Sequence, residues 1–407
     1  MVVISETSGG SNGDDPNKKR KEVEKKRKEE EENNRNKKLK EKLSYSLPIP
    51  DDLTLSCFAL VEICHYQKLS LVCSNFRDII RSRDLYVKRS NLGLTESVLY
   101  AYIRLIPLEK PSWYVLQRVP YRNLPNTLSW RLTLIDSIPP MPFEAAIVTN
   151  GSDIYVIGGL VGGRPTSSMI LMDCKSCRCR LLPRMRMSRF RAGAGVIDGK
   201  IYVIGGCSMQ LCNWIEVFDI KEQTWTGLEF PYLPDMYKEF VKYAVMEKNI
   251  YLMDGGVLCC ALDPINMRWF HQGQELDHLR SVWHMSYCVI DDLLVCINPM
   301  MEVVGGPIAL YDRKQKLLRH VNGLQGFPGN MNLRESRMEN FDGNLVILGS
   351  DQSWFSEYKG KKEIWCVEIS FELRERGEIW GIIESAAVVL TTYNNTPSIQ
   401  LCRTVTL

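Results

Sequence analysis

Five stretches of this chain are variants of one unit: GSDIYVIGG (151–159), DGKIYVIGG (198–206), EKNIYLMDG (247–255), IDDLLVCIN (290–298) and DGNLVILGS (342–350). Each is a polar turn, then β-branched, aliphatic and aromatic residues, then in most copies a small residue. Their first strand residues, Ile154, Ile201, Ile250, Leu293 and Leu345, lie 47, 49, 43 and 52 positions apart. A second mark follows the first four copies, an Asp six residues before a large or apolar side chain: Asp173/Cys179, Asp219/Trp225, Asp263/Trp269 and Asp312/Leu318. A repeat of ~40–50 residues holding about four short strands describes a propeller blade, a sheet that buries its faces only when neighbours stack around an axis.

The paired glycines do not cradle phosphate. A P-loop needs Gly, four residues, then Gly-Lys-Ser/Thr. Around Gly199-Lys200 the first glycine is replaced by Ala194, and Ile201 stands in place of the hydroxyl. The dinucleotide fingerprint fails as well, since Gly193 and Gly195 are followed by Asp198, and no helical pattern follows either pair. Small residues at a strand end instead permit close backbone approach, and the spaced Trp supplies a wedge between blades.

Six positions carry the wedge mark in phase: Trp130, Cys179, Trp225, Trp269, Leu318 and Trp380. Trp130 follows a strand-like WYVLQR (113–118) but lacks two strands upstream. The segments SAAVVLTT and SIQLCRTVTL at the other end are candidates to supply them. The expectation is a mostly β, six-bladed propeller whose last blade combines two C-terminal and two N-terminal strands; five or seven blades fit the same spacing. Such closure removes free sheet edges.

In an antiparallel blade the turns between strands one–two and three–four share one side of the disc, and the other connections share the opposite side. The first set is short here (NGSD, DGK, EKN, KEQT). The second is long: LVGGRPTSS (160–168), PMMEVVGGP (299–307) and SDQSWFSEYKGKKE (350–363). Loops held by a rigid scaffold are the usual binding elements, so a target is expected on that side. Trp354, Phe355 and Tyr358 are candidate aromatic anchors, and Arg164, Arg184, Arg186 and Arg189 candidate contacts to acidic groups.

Charge separates the remaining zones. The formal net charge of +3 arises in residues 1–43, with 13 Lys/Arg against 10 Asp/Glu, while the rest of the chain balances at 38 against 38. A neutral folded part argues against nucleic-acid binding. Residues 1–45 are a low-complexity tail expected to be disordered; its basic runs at 18–21, 25–28 and 37–40 fit either a nuclear-import signal or a solvated tail. No apolar run approaches the ~18 residues a membrane span requires, and the N-terminus has no secretory pattern. Fourteen cysteines then read as thiols in a reducing compartment, hence an expectation of cytoplasm and/or nucleus.

Residues 46–92 form a helical zone. Pro50, Asp51 and Asp52 suit a helix start, and Leu53, Cys57, Leu60, Val61 and Cys64 follow at helical spacing. Phe76, Ile79 and Ile80 repeat that pattern. Residues 93–110 are expected to be a linker and 111–407 the propeller.

The double glycine with a spaced Trp resembles the kelch repeat, over about 300 residues. Ile297-Asn298 and Gly349-Ser350 depart from the glycine pair, and Cys179 and Leu318 from the Trp. The preceding zone resembles an F-box in the form found in plant F-box/kelch proteins. The match runs ungapped through Pro50, Asp51, Asp52, Leu53, Cys57, Ala59, Val61, Tyr66, Leu69 to Val72, Phe76, Arg77, Leu85, Tyr86, Arg89, Ser90, Leu92 and Gly93; Ile49, Leu60 and Gln67 depart from it. The resemblance implies docking to a Skp-type adaptor, and through it to a cullin and a RING subunit of a ubiquitin ligase, with the propeller holding the target protein. Pro50, Leu53, Val61, Leu69, Leu71, Val72 and Phe76 are the expected adaptor contacts, some of them doubling as core. The rivals are a kelch scaffold without a ligase role and a propeller enzyme. For the latter no catalytic set, cofactor motif or metal motif is found: CKSCRC (174–179) lacks a fourth zinc ligand, and the five histidines form no metalloprotease motif.

Overall fold

The structure is a computed structural model. It describes residues 49–107, 110–120, 128–207, 214–228, 239–254, 259–270, 286–298, 306–312, 317–351, 360–374 and 377–407, with single residues or pairs at 273, 276–277, 279–280, 283 and 315. The tail at 1–45 and the proposed anchors Trp354, Phe355 and Tyr358 lie outside the described residues.

Four short helices come first: α1 (Asp51–Ala59), α2 (Tyr66–Leu69), α3 (Ser74–Ile80) and α4 (Arg83–Asn91). The Pro50 carbonyl accepts the N–H groups of Leu53 and Thr54, and Asp51 and Asp52 occupy the positive end of α1. The helix stops at Ala59, so Cys64 falls in a separate 3-10 turn (Ile63–His65) and not on the same helix. Ser82 caps α4, its hydroxyl accepting from the Leu85 N–H at 3.3 Å.

Among the described residues the later elements are strands, apart from helical residues at 276–277 and 279–280. The first sheet joins β1 (Ser97–Ile106), β2 (Ser112–Pro120) and β3 (Leu128–Leu134) to β26 (Thr396–Thr406), in the order β26-β1-β2-β3. The second is β4 (Ala146–Asn150), β5 (Asp153–Ile157), β8 (Met169–Asp173) and β9 (Arg178–Leu182), with a hairpin of β6 (Leu160–Val161) and β7 (Arg164–Pro165) hanging from one connection. The third runs β10 (Gly193–Ile197), β11 (Lys200–Ile204), β12 (Ile215–Asp219), β13 (Thr224–Leu228). The fourth runs β14 (Lys242–Met246), β15 (Asn249–Met253), β16 (Cys259–Asp263), β17 (Arg268–Phe270). An eight-stranded sheet follows. One half is β18 (Tyr287–Ile290), β19 (Leu293–Ile297), β20 (Ile308–Asp312) and β21 (Leu317–Asn322). The other is β22 (Arg337–Phe341), β23 (Asn344–Ser350), β24 (Lys361–Leu373) and β25 (Ile379–Tyr393). A two-residue parallel pairing, Val321 with Ile379 and Asn322 with Trp380, is what links the halves into one hydrogen-bonded sheet. The strands β4, β10, β14, β18, β22 and β26 touch in turn, and β26 touches β4. The arrangement is propeller-like.

Two expectations need correction. The first sheet is closed by one C-terminal strand and three N-terminal ones, because SAAVVLTT continues the strand of Trp380 within β25. β1 also occupies most of the expected linker. Its residues 98–103 are all buried, so it shows no alternation and reads in sequence as an apolar run without period.

The sequence marks have physical counterparts. All six wedge positions lie on the outermost strand of a four-stranded run: β3, β9, β13, β17, β21 and β25. Trp225 donates its indole N–H to the Pro183 carbonyl of the preceding sheet's connection at 2.8 Å and lies 5.0 Å from the Phe218 ring. The Asp mark shapes the preceding turn, the carboxylates of Asp173, Asp219 and Asp263 each accepting two backbone N–H groups just ahead. The paired glycines are needed because the connection between β9 and β10 passes over both pairs. A Cβ on Gly206, at φ +70°, would lie 2.5 Å from the Phe190 carbonyl, and one on Gly158 the same distance from that of Arg189.

The helices are not a detached unit. Phe58, Ala59, Tyr66, Ile79, Ile80, Leu85 and Tyr86 share one buried cluster with Tyr100, Val115, Ile154, Met172, Cys174 and Val405 of the first two sheets. Arg89 clasps the junction. Its guanidinium donates to the carbonyls of Ala59 (3.1 Å) and Val61 (2.5 Å), to the Tyr66 hydroxyl (3.2 Å) and to Glu96, whose carboxylate also accepts from the Ile63 N–H.

Candidate functional site: an apolar helical face and a charged channel

α1 is apolar on two sides. Thr54, Phe58 and Ala59 face the shared core. Pro50, Leu53, Cys57 and Leu60, at spacings of three and four, all lie exposed on the other side. Leu53 is 57% exposed, Leu60 70%, Leu71 76% and Val72 61%. An isolated surface Leu needs no explanation, but four within one miniature helical unit form an unpartnered apolar surface.

The expected adaptor residues divide accordingly. Pro50, Leu53, Leu71 and Val72 are exposed, whereas Val61, Leu69 and Phe76 pack against the shared cluster. Phe76 meets Phe58 edge-on at 4.7 Å. Leu60, read in sequence as a departure from the family, belongs to the outward face.

The second feature is the channel enclosed by the ring of inner strands, a cavity of about 780 Å³. Each inner strand starts at the side of the long connections; β4, β10, β14, β18 and β22 end in a short turn and β26 runs to Thr406. Arg191, Lys242, Arg334, Arg337 and Gln400 therefore line the long-connection mouth. One tier deeper, Arg403 donates to the Glu339 carboxylate at 3.3 Å. Burial lifts the Glu339 carboxyl to about 7, only partly opposed by Arg403. Lys242 donates to the Trp283 carbonyl at 2.8 Å; burial and then the Arg337 charge pull its amine down to about 8. The Tyr287 hydroxyl donates to the Tyr243 carbonyl (2.8 Å) and the Tyr243 hydroxyl to that of Ile147 (3.1 Å), stitching inner strands together.

Among the sequence candidates on the long-connection side, Arg164, Arg184 and Arg186 are exposed but do not line this cavity. Arg189 is corrected: it is fully buried, its guanidinium 2.9 Å from the Glu216 carboxylate and bonded to the Gly205 and Trp214 carbonyls. It holds the loop in place and offers nothing to a partner. The channel cations went unread because each sits in or beside a short apolar strand. The available signal was charge at alternate positions within strands, as in RMENF (337–341).

CKSCRC covers the turn between β8 and β9 (174–177) and the first two residues of β9. Burial holds the thiols of Cys174, Cys177 and Cys179 above their ordinary range, which favours the protonated, non-ligating form. Among the described residues one group, Glu62, Cys64 and His65, brings three donor atoms within 4.8 Å of one another. Burial, then Glu62, raises the Cys64 thiol to about 11, so this set also favours the thiol over the thiolate.

An F-box domain family model matches residues 47–88, and the FKB95 kelch-repeats domain model matches 113–390. The chain belongs to the F-box/kelch-repeat family. An Arabidopsis thaliana protein named for an F-box and kelch repeats, At2g21680, is 45% identical over 407 residues, covering 91% of this chain and 94% of its own. The A. thaliana Kelch repeat-containing protein At1g19460 is 42% identical, with 90% and 88% covered, and F-box/kelch-repeat protein At2g29830 is 39% identical, with 90% and 93% covered. Among solved structures, "Structure of YjhT" shares 13% identity and superposes with a TM-score of 0.37 over 64% of this chain and 98% of that one. That likeness is too distant to carry any part of the reading. In this F-box/kelch protein the outward face of α1 lies within the F-box match, and five of the six inner strands lie within the kelch match.

Proposed function

We propose that this F-box/kelch protein is the substrate-recognition subunit of an SCF-type ubiquitin ligase. The F-box docks to a Skp-type adaptor, and through it to a cullin-RING assembly, while the propeller presents a target protein. The observation that carries this reading is the outward apolar face of Leu53, Leu60, Leu71 and Val72 on a helical unit whose own core is already filled by other side chains. Ubiquitin transfer would occur on other subunits, and this chain's part is to raise the local concentration of target lysines. We assign it no reaction of its own.

We infer six blades. The four four-stranded sheets, the two halves of the eight-stranded sheet and the closed sequence of inner-strand contacts support that count. We place the protein in the cytoplasm and/or nucleus; a fluorescent fusion with and without residues 18–40 reads out the contribution of the basic runs.

The ligase reading is tested by capture of a purified Skp-type adaptor on the full chain. Leu71→Asp combined with Val72→Asp should weaken capture by roughly tenfold or more, since each exposed aliphatic side chain buried at an interface is worth about 1.5–3 kcal/mol. The melting temperature should not move. Phe76 is unsuitable for this test because it supports the core. Undiminished capture by the double variant overturns the reading, and capture of a target without any adaptor would favour a scaffold.

A further inference from the structure

Resting on the assignment of the long-connection side as the target side, we propose that the channel mouth receives an acidic side chain, Asp or Glu, of an extended target segment, with Arg337 and Arg334 as its partners. The charges around the channel explain why these two are singled out. Arg191 is neutralised by Glu239 at 3.1 Å and Glu144 at 3.5 Å, and Arg403 by Glu339. Among the described residues, no carboxylate lies within ion-pair distance of Arg334 or Arg337. Arg337 is held ready instead. Its Nε donates to the Gln400 carbonyl at 3.0 Å and one Nη to that of Ser336 at 2.8 Å, both neutral acceptors. A half-buried guanidinium fixed by two neutral backbone carbonyls, with no carboxylate partner, is preorganised for one. Arg334 is exposed on the segment leading into the same strand, and Lys242 faces the same cavity, close enough for Arg337 to disfavour its charge. An incoming anion relieves that crowding.

The next tier limits what can enter. Two residues inward along β22, about 7 Å by strand rise, Glu339 and Arg403 already neutralise one another. A second negative charge pushed deeper would meet the Glu339 carboxyl. The geometry therefore fits one carboxylate at the mouth better than a phosphate dianion, and the cavity volume fits a few residues of extended chain better than a folded element.

The probe is fluorescein-labelled hexaglutamate, with hexaglutamine and a phosphoserine peptide of equal length as comparators, read by anisotropy on the full chain. The tail is present in every variant and cancels. Hexaglutamate should bind, weaken as salt rises and exceed hexaglutamine. Arg334→Glu, on an exposed side chain, and Arg337→Gln, verified by its melting curve, should each lower affinity by roughly tenfold, while Lys221→Glu, exposed in a short turn on the opposite side, leaves it unchanged. Equal binding by the Arg334 and Arg337 variants, or equal binding of hexaglutamine, overturns the proposal. A phosphoserine peptide held a hundredfold more tightly through the same arginines overturns it in favour of a phosphopeptide site. Adaptor capture by the unsubstituted chain is read in parallel: hexaglutamate left unbound while the adaptor is captured defeats this site alone, and hexaglutamate bound while the adaptor is not captured defeats the ligase reading alone.

Discussion

Arg89 and Arg189 are both arginines with almost no exposed surface, and each ties a connection to a more rigid element. Replacing Arg89 with Ala would strand the carbonyls of Ala59 and Val61, the Tyr66 hydroxyl and Glu96 together. The expected loss is about 3 kcal/mol, near the lower end for a buried pair because Glu96 is partly solvated; a urea unfolding curve measures it. Glu339 yields a pH signature. Its folded pKa, about 7, stands above its ordinary 4.5, so the folded state binds the proton more tightly than the unfolded one. Its contribution is complete below about 4.5 and is lost as pH rises through 7. Thermal melts between pH 5 and 8 should show the wild type losing stability relative to Glu339→Gln as pH increases; parallel curves would contradict it. Such roles are hard to read in a sequence. RMRMSRF looks like a polar loop, and nothing local announces that Glu216, 27 residues on and inside the apolar stretch IEVFD, neutralises Arg189.

Elements were more legible where one local interaction repeats. The Asp mark is visible because every such turn needs a short acceptor for two backbone donors, and the glycine pair is visible because a passing connection leaves no space for a Cβ. Gly206→Ala should accordingly cost more than about 2 kcal/mol, combining left-handed strain with a backbone collision. Gly199→Ala has φ +74° but nothing within 4 Å, and should cost about 1 kcal/mol. Denaturant midpoints of the two variants decide, and equal shifts would remove the collision argument. β1 was illegible for the opposite reason: buried on both faces and paired with β26 from the far end of the chain, it carries no alternation and no nearby partner signal. The channel face escaped too, because a ring juxtaposes side chains from six distant strands.

At the scale of the whole molecule, the helices and the first two sheets share a core, and β26 pairs with β1 over ten residue pairs. Residues 46–92 should therefore not persist as a folded unit when expressed alone, being small and deprived of Tyr100, Val115 and Cys174. Removing 396–407 should likewise expose β1 and unfold the helices with it. Hydrogen exchange provides the check: amides of α4 and β1 should open with similar free energies, and much weaker protection in α4 would show that the two parts come apart independently.

The helices pack beside the short turn 174–177 and Leu407, away from the side where the long connections gather. For a ligase receptor the disc then acts as a spacer of set thickness with no joint in it. On the proposed reading, cargo would hang on the far side, and the lysines open to modification would be chosen by how far the cargo itself extends around the rim.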